Sequence, residues 1–318
     1  MTVYNGMPYV ESAVESILNQ SMQDFLFVIV DDGSDDEARE YLESLADRRV
    51  TLIQQANQGT AAAANRGLQE IETRYVARMD ADDIAIHDRL ERQLEFMETH
   101  PNVGIVGSQV APLGSKSVGV SLNLPTQHDA IFSDMMMGRH GLAHSSIMIR
   151  RTALERVGGY WSLPLIDDWD MMLRVGEVSE LANIDEVLLH YRVHAGSLNG
   201  QNMKRMQTHI AYATDRAQRR QANQPEIDFE TFLELRSLRP AWQRLKEEAD
   251  IYALASYRLA SAEIRGGRPV LGWARLSWAS LWSPGRTLRR INRILRARFS
   301  KNDNGQPVKP THVAETYS

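Results

Sequence analysis

Short, wholly apolar runs of strand length alternate with segments of helical period, and this alternation constrains the fold more than any other feature of the chain. From Pro8 to Leu18 the apolar residues Val10, Ala13, Val14, Ile17 and Leu18 recur at helical spacing, and Phe25 to Val30 follows as a continuous apolar run. The same reading predicts strands at 50–53, 75–79 and 103–107 and helices at 60–71 and 88–99. Strands that are apolar on both faces and separated by helices belong to a mostly parallel sheet covered on both sides, so an α/β sandwich is expected. Further strands at 145–149 and 187–191, with helices at 152–157 and 169–178, complete a first domain over 1–200. The pattern then becomes helical at 201–221, 228–238 and 241–264, broken at Gln224-Pro225 and Arg239-Pro240. Residues 201–301 are therefore expected to be a helical, basic extension, and the polar stretch 302–318 a disordered tail.

The 318 residues suffice for one full core plus an appendage. The absence of cysteine removes disulfides, thiolate metal sites and a cysteine nucleophile, so any metal must be held by oxygen or imidazole. No basic segment and apolar run opens the chain, so no secretion is implied and a cytoplasmic protein is expected. The net charge of -5 hides an asymmetry, because the stretch from Ile264 to Lys301 holds ten Lys and Arg and no Asp or Glu. Such a segment prefers an anionic partner. Within it Trp273, Trp278 and Trp282 stand among leucines and arginines, the composition of helices that lie at a membrane interface. Contact with a membrane surface through 264–301 is expected, packing onto the first domain is the alternative, and nucleic acid is not expected.

Arg78-Met79-Asp80-Ala81-Asp82-Asp83 places three carboxylates directly after an apolar strand, where open α/β sheets bind their ligands. In extended backbone Asp80 and Asp82 face one way and Asp83 the other. Clustered carboxylates repel one another unless compensated, and a hard cation, Mg²⁺ or Mn²⁺, bound by one or two of them together with phosphate oxygens would do so. The bland alternative is a solvated, helix-capping turn. A calcium loop starting at Asp80 is excluded by Ile84 and Ala85, where a ligand and a glycine are needed. Val30-Asp31-Asp32-Gly33-Ser34 repeats the arrangement, and Asp31 and Asp32 are candidates to accept hydrogen bonds from a base or ribose. Neither a dinucleotide-binding glycine motif nor a P-loop occurs, so a nucleotide site must be built otherwise.

Taken in order, these motifs resemble a family 2 glycosyltransferase of the GT-A fold, of the kind that builds bacterial polysaccharide, from Thr2 to about Ser197. The matching segments are Thr2-Val3-Tyr4-Asn5, Val30 to Asp36, the series Asn57, Gly59, Ala63, Asn65 and Gly67, and Asp80-Ala81-Asp82-Asp83. Gly158-Gly159-Tyr160, Asp167-Asp168-Trp169-Asp170 and Tyr191-Arg192-Val193-His194 follow, with His144 in a weaker match. The resemblance implies that Thr2, Tyr4 and Asn5 border a nucleotide base that Asp32 contacts, that Asn57, Gly59 and Asn65 lie along the nucleotide sugar, and that Asp80 sits near the ribose. It implies that Asp82 binds the Mn²⁺ or Mg²⁺, with Asp80 beside it, and that His194 approaches metal and diphosphate. Asp168 is the implied general base, although Asp167 stands where the family has Glu, which leaves open which of the two reaches the acceptor. The implied reaction moves a sugar from a nucleotide-diphosphate sugar, uridine diphosphate being the commonest carrier, to a hydroxyl of a glycan or lipid-linked acceptor with inversion. An ordinary Asp is ionised enough for this at neutral pH, and no large pKa shift is required. The work would be done at the inner face of the cell membrane. The chain starts inside the first motif, so a short or truncated first strand is expected to weaken the sheet beside the base. Two other readings share the sheet and acids: a non-catalytic nucleotide-sugar-binding protein, which would not need Asp168, and a nucleotidyltransferase, whose Gly-rich basic loop Thr2 to Val10 lacks.

Overall fold

A computed structural model describes residues 1–113, 123–161, 167–192, 203–265 and 268–282. These fall into two compact units, the first running from Met1 to Ile227 apart from short excursions and the second from Asp228 onward. The expected tail at 302–318 lies outside the described residues.

The first unit opens with β1 (Thr2–Val3), α1 (Val10–Leu18), β2 (Phe27–Asp31), α2 (Ala38–Glu43), β3 (Val50–Gln54) and α3 (Thr60–Leu68). All five residues of β2 are buried, which is why this strand reads as an unbroken apolar run. β1, β2 and β3 form a parallel sheet in that order, with Val3 opposite Asp31 and Asp31 opposite Gln54. The first strand is two residues long, yet it is stitched on both sides: Asp32 N–H donates to Val3 O at 2.8 Å, and Thr2 bridges Asp80 in parallel.

The second sheet is built from β4 (Tyr75–Ala77), β5 (Ile84–Ala85), β6 (Val103–Pro112), β7 (Met148–Arg150) and β8 (Glu180–Tyr191), in the order β4-β7-β6-β8-β5. β6 and β8 are parallel, whereas β7 is antiparallel to both β4 and β6, and β5 is antiparallel to β8. The long strands thus share one direction, as helical crossovers through α4 (Arg89–Thr99) and α7 (Asp167–Gly176) require, and two short strands of two and three residues run against it. Periodicity marks a segment as strand but carries no direction, so the strand expected at 145–149 is present as β7, whereas its antiparallel course was not foreseeable from the apolar runs. β6 and β8 also extend well beyond the stretches 103–107 and 187–191, because polar residues such as Ser108, Gln109 and Asn183 are buried with bonded side chains.

α5 (His128–Met136), a 3-10 turn at His144–Ser146, α6 (Arg151–Arg156) and α8 (Met203–Gln221) complete this unit, which therefore runs past residue 200, where the sequence turns helical. Asp170 on α7 is fully buried and pairs with Arg174 at 2.7 Å and with Arg216 of α8 at 3.4 Å. A buried carboxylate between two guanidiniums is compensated, so Asp170 ties α7 to α8 and belongs to the scaffold. The second unit contains α9 (Phe229–Ser237), α10 (Ala241–Arg265) and α11 (Pro269–Trp282), the last two packed together through Ala253, Leu276 and Ala279.

Candidate active site

The carboxyl ends of β1, β2 and β4 lie along one edge, and the loops leaving them carry the acids. The first two loops are laced together: Asn5 N–H donates to Ser34 Oγ at 3.0 Å, Asp35 N–H to Asn5 Oδ1 at 2.9 Å, and Met7 N–H to Asp36 Oδ2 at 2.9 Å. Asn5 adopts φ 51°, a left-handed conformation that asparagine tolerates, and Tyr4 projects beside it, 54% exposed.

Asp31 and Asp32, both candidates for the base, are placed differently. Asp31 ends β2 and is wholly buried; Oδ1 accepts the Ser34 N–H at 2.9 Å, and Arg39 Nε lies 3.5 Å from Oδ2. The strand's alternation turns this side chain inward, where it shapes the turn. Asp32 accepts three bonds, from Gln55 Nε2 at 2.7 Å, Gln58 N–H at 2.9 Å and Gly59 N–H at 2.8 Å. A carboxylate has about four acceptor positions, so roughly one remains for a ligand. Its first task is to hold the loop 55–59, where Asn57 and Gly59 are exposed. Gly33 makes that approach feasible: φ is +85°, and a β-carbon there would come within 2.9 Å of Asn57 N. Gly33, Arg39, Gln54, Gln55, Ala56 and Asn57 line an open cleft of about 520 Å³ beside Asp32. It includes none of the acids after β4.

Asn65, expected along the nucleotide sugar, has its amide bonded within the protein. Its Nδ2 donates to Tyr160 O at 2.6 Å, and its Oδ1 accepts Tyr160 N–H at 3.0 Å, so both ends of the amide are committed to the turn Gly158-Gly159-Tyr160. Asn65→Ala is expected to cost about 1–3 kcal/mol by orphaning two backbone groups, visible as a lower midpoint in a thermal melt; an unchanged midpoint would remove this role.

Oxygen atoms of Asp80, Asp82 and Asp83 lie within 4.8 Å of one another. Asp80 N–H donates to Ser145 Oγ at 3.0 Å, and the Asp80 carboxylate pairs with the Arg78 guanidinium. Asp83 is buried and accepts the Arg192 N–H at 2.9 Å, while Arg192 Nε donates to the Asp82 carbonyl at 2.9 Å. Burial, followed by the charge of Asp80, pushes Asp83 up to about 7. Hard oxygen donors that repel one another fit a divalent cation, which Asp82 and Asp80 could hold. His194, the remaining expected ligand, lies outside the described residues.

Asp168 and Asp167 stand in the first turn of α7, where a helix favours negative charge. Thr60 Oγ1 donates to Asp167 Oδ2 at 3.2 Å, joining the start of α3 to the start of α7. Asp168 Oδ1 accepts the Trp169 N–H at 2.7 Å, and Oδ2 lies 3.6 Å from His144 Nδ1. Burial, then the neighbouring Asp167, raises Asp168 to about 7, although 31% of the side chain remains exposed. The ordinary carboxylate expected from the sequence is thus replaced by one poised at neutrality. Burial likewise raises Asp167, against the pull of Arg78. His144, held neutral by burial and by Arg78, faces Tyr160 Oη at 3.0 Å through Nε2.

Arg78 joins the two groups of acids. Its side chain is 17% exposed; partial burial disfavours its charge, yet Asp80 first, with Asp168 contributing, holds it protonated. Sequence reasoning read Arg78 as part of a strand; the signal was a cation directly before three carboxylates. Arg192, the clamp on the acidic loop, was visible only as a motif residue.

Residues 1–158, about half of the chain, match Glycosyl transferase family 2, and through them the chain belongs to that family. An uncharacterized glycosyltransferase of Haemophilus influenzae is 28% identical over 60% of this chain and 63% of its own length, so the chain spans under two thirds of that relative. The UDP-Glc:alpha-D-GlcNAc-diphosphoundecaprenol beta-1,3-glucosyltransferase WfaP of Escherichia coli is 27% identical over 65% of this chain and 80% of its own. Among solved structures, S. aureus TarS 1-349 in complex with UDP-GlcNAc superposes with TM-score 0.55 at 14% identity, covering 90% of each chain. The mannosyltransferase PcManGT of Pyrobaculum calidifontis, in complex with GDP-Man and Mn2+, gives 0.53 at 18% identity, covering 93% of this chain and 78% of the other. The fold is therefore GT-A, an α/β architecture with helices on a largely parallel sheet.

Proposed function

We propose that this chain transfers a sugar, with inversion, from a uridine diphosphate sugar to a hydroxyl of a glycan or lipid-linked acceptor in bacterial polysaccharide synthesis, with Asp168 as the general base. The observation that carries the reading is the convergence of Asp168 and the Asp80–Asp83 cluster on the charge of the half-buried Arg78. WfaP, by its name, uses UDP-Glc and a diphosphoundecaprenol-linked acceptor, which supports both the donor and the lipid-linked acceptor.

The acceptor O–H gives its proton to Asp168 as its oxygen bonds to the anomeric carbon; the bond from that carbon to the diphosphate breaks, and the electron pair leaves with the diphosphate. Asp82 and Asp80 would hold a divalent cation there, and it would neutralise charge on that leaving group. Asp32 fixes the loop 55–59, whose Gln55, Ala56 and Asn57 line the cleft assigned to the base, and Thr2, Tyr4 and Asn5 are assigned to its border. Asn57 and Gly59 lie on the path of the ribose and diphosphate. Thr60 orients Asp167, and His144 packs a neutral ring behind Asp168. A binding protein without catalysis would gain nothing from a base held near neutrality, which favours the enzyme over that alternative.

The reading is tested by incubating the protein with a panel of nucleotide sugars, with and without Mn²⁺, and measuring release of nucleoside diphosphate. Metal-dependent release from a uridine diphosphate sugar is expected. Release from a guanosine donor alone would overturn the donor assignment, and tight binding without release in the presence of lipid-linked acceptors would overturn the enzyme.

A further inference from the structure

The second unit presents a surface that the sugar-transfer chemistry does not use. α11 contains one charged residue, Arg275, in its whole length from Pro269 to Trp282. Its described exposed side chains are Val270, Leu271, Trp273, Ala274, Ser277, Trp278 and Trp282, none of them charged. Val270 is 83% exposed and Trp273 63%. Opposite them, Gly272, Leu276 and Ala279 turn toward α10, so the helix is packed on one side and bare on the other. Trp278 and Trp282 form an aromatic group with Tyr252 of α10: Trp278 Nε1 donates to Tyr252 Oη at 3.3 Å, and the Trp282 ring stands edge-on 5.8 Å from that tyrosine. α10 provides a contrast, because its exposed positions include Arg244, Lys246 and Glu248. α10 also exposes Trp242 and Leu245, but among charged residues, whereas the described exposed positions of α11 carry no charge.

A soluble surface seldom leaves three tryptophans and neighbouring aliphatics contiguous and open. The chemistry of the flanking chain selects what covers them. Arg265 and Arg268 precede the helix, seven further Lys and Arg follow it between Arg286 and Lys301, and no acid interrupts from Ile264 to Lys301. A protein groove would satisfy the apolar face, and a polyanion the charge. An anionic bilayer surface satisfies both at once, with indoles at the headgroup level and arginines on the phosphates. At ~1.5 Å per residue the helix is roughly 21 Å long, too short to span a bilayer and long enough to lie in its plane. Among the described residues no helix is long and apolar enough to cross a membrane.

We infer that α11 is a membrane-docking helix that seats the protein on an anionic lipid surface through its Val270, Trp273, Trp278 and Trp282 face, with the basic flanks supplying the attraction. The inference goes beyond the transferase reading, and its test uses no nucleotide sugar, so the two fail separately.

The experiment is co-sedimentation of the full chain with vesicles of phosphatidylcholine alone and of phosphatidylcholine with about a third phosphatidylglycerol. At least tenfold tighter binding to the anionic vesicles is expected, weakened by raising salt and accompanied by a blue shift of tryptophan emission. Val270→Ser/Trp273→Ser, at two positions with high exposure, is expected to lower that affinity at least tenfold while the far-ultraviolet circular dichroism is unchanged. Arg289→Glu/Arg290→Glu, which leaves the helix intact, is expected to abolish the preference for anionic lipid. Equal partition to both vesicles, no partition, or unaltered binding of the Val270→Ser/Trp273→Ser protein overturns the inference. Concentration-dependent dimers that the same substitution dissolves, without lipid binding, would instead assign the face to a second copy of the chain and overturn it equally.

Discussion

Replacing Asp168 with asparagine is expected to lower kcat by about 10²- to 10⁴-fold, the range for a positioned general base, with little change in KM for the donor. Asparagine keeps the shape and can still accept the Trp169 N–H, so the loss isolates proton transfer from folding. The pH profile of the unaltered protein supplies the second half of the test. Because burial holds Asp168 at about 7, activity should rise with pH through that value and fall about tenfold per unit below it. Stability should run the opposite way. Asp168 and Asp83 both lie above their ordinary 3.8 in the fold, so the folded chain binds their protons more tightly than the unfolded one. Their combined effect is a loss of stability as pH rises from about 4 to about 7. Asp167→Asn is expected to cost less activity, since Thr60 already engages that carboxylate. If Asp167→Asn is the deeper lesion, the two acids exchange roles; full turnover in Asp168→Asn would remove the base altogether.

How much of this could be read from the chain depends on whether a residue acts alone or through a distant partner. β2 and α1 were legible because burial and period are local: five buried residues in a row, and Val10, Ala13, Val14 and Ile17 on one face. The strand-terminal acids were legible for the same reason. What the chain did not disclose is which donors claim each oxygen. Asp31 and Asp32 are neighbours with the same motif standing and both are buried, yet one bonds within its own turn and the other gathers a loop from 23 to 27 positions away. Asn65 reads as part of a ligand-facing series, but its amide partner is 95 residues distant. The pKa of Asp168 was equally invisible, since it follows from a depth of burial that no spacing encodes. Directions in the second sheet failed to show because a three-residue strand can pair either way.

Asp82→Ala is expected to lower metal-dependent turnover by at least about 10²-fold, since a metal stabilises leaving-group charge by several kcal/mol and each 1.36 kcal/mol is tenfold. The three acids are not equivalent, and that makes the prediction specific. Asp80 is paired with Arg78, and Asp83 is buried with its carboxyl on the Arg192 N–H. Asp82 has its backbone carbonyl fixed by Arg192 Nε, so removing its carboxylate leaves the loop anchored. Mn²⁺ affinity measured by calorimetry should therefore collapse in Asp82→Ala while the melting midpoint holds. Asp83→Asn should behave inversely. The asparagine oxygen can still accept from Arg192, one repelling buried charge is gone, and the fold should gain stability above pH 7, where the aspartate would be ionised. Some metal affinity should survive. Undiminished Mn²⁺ binding in Asp82→Ala, or its complete loss in Asp83→Asn alone, would move the cation from Asp82 to the buried acid and require Arg192 to release it.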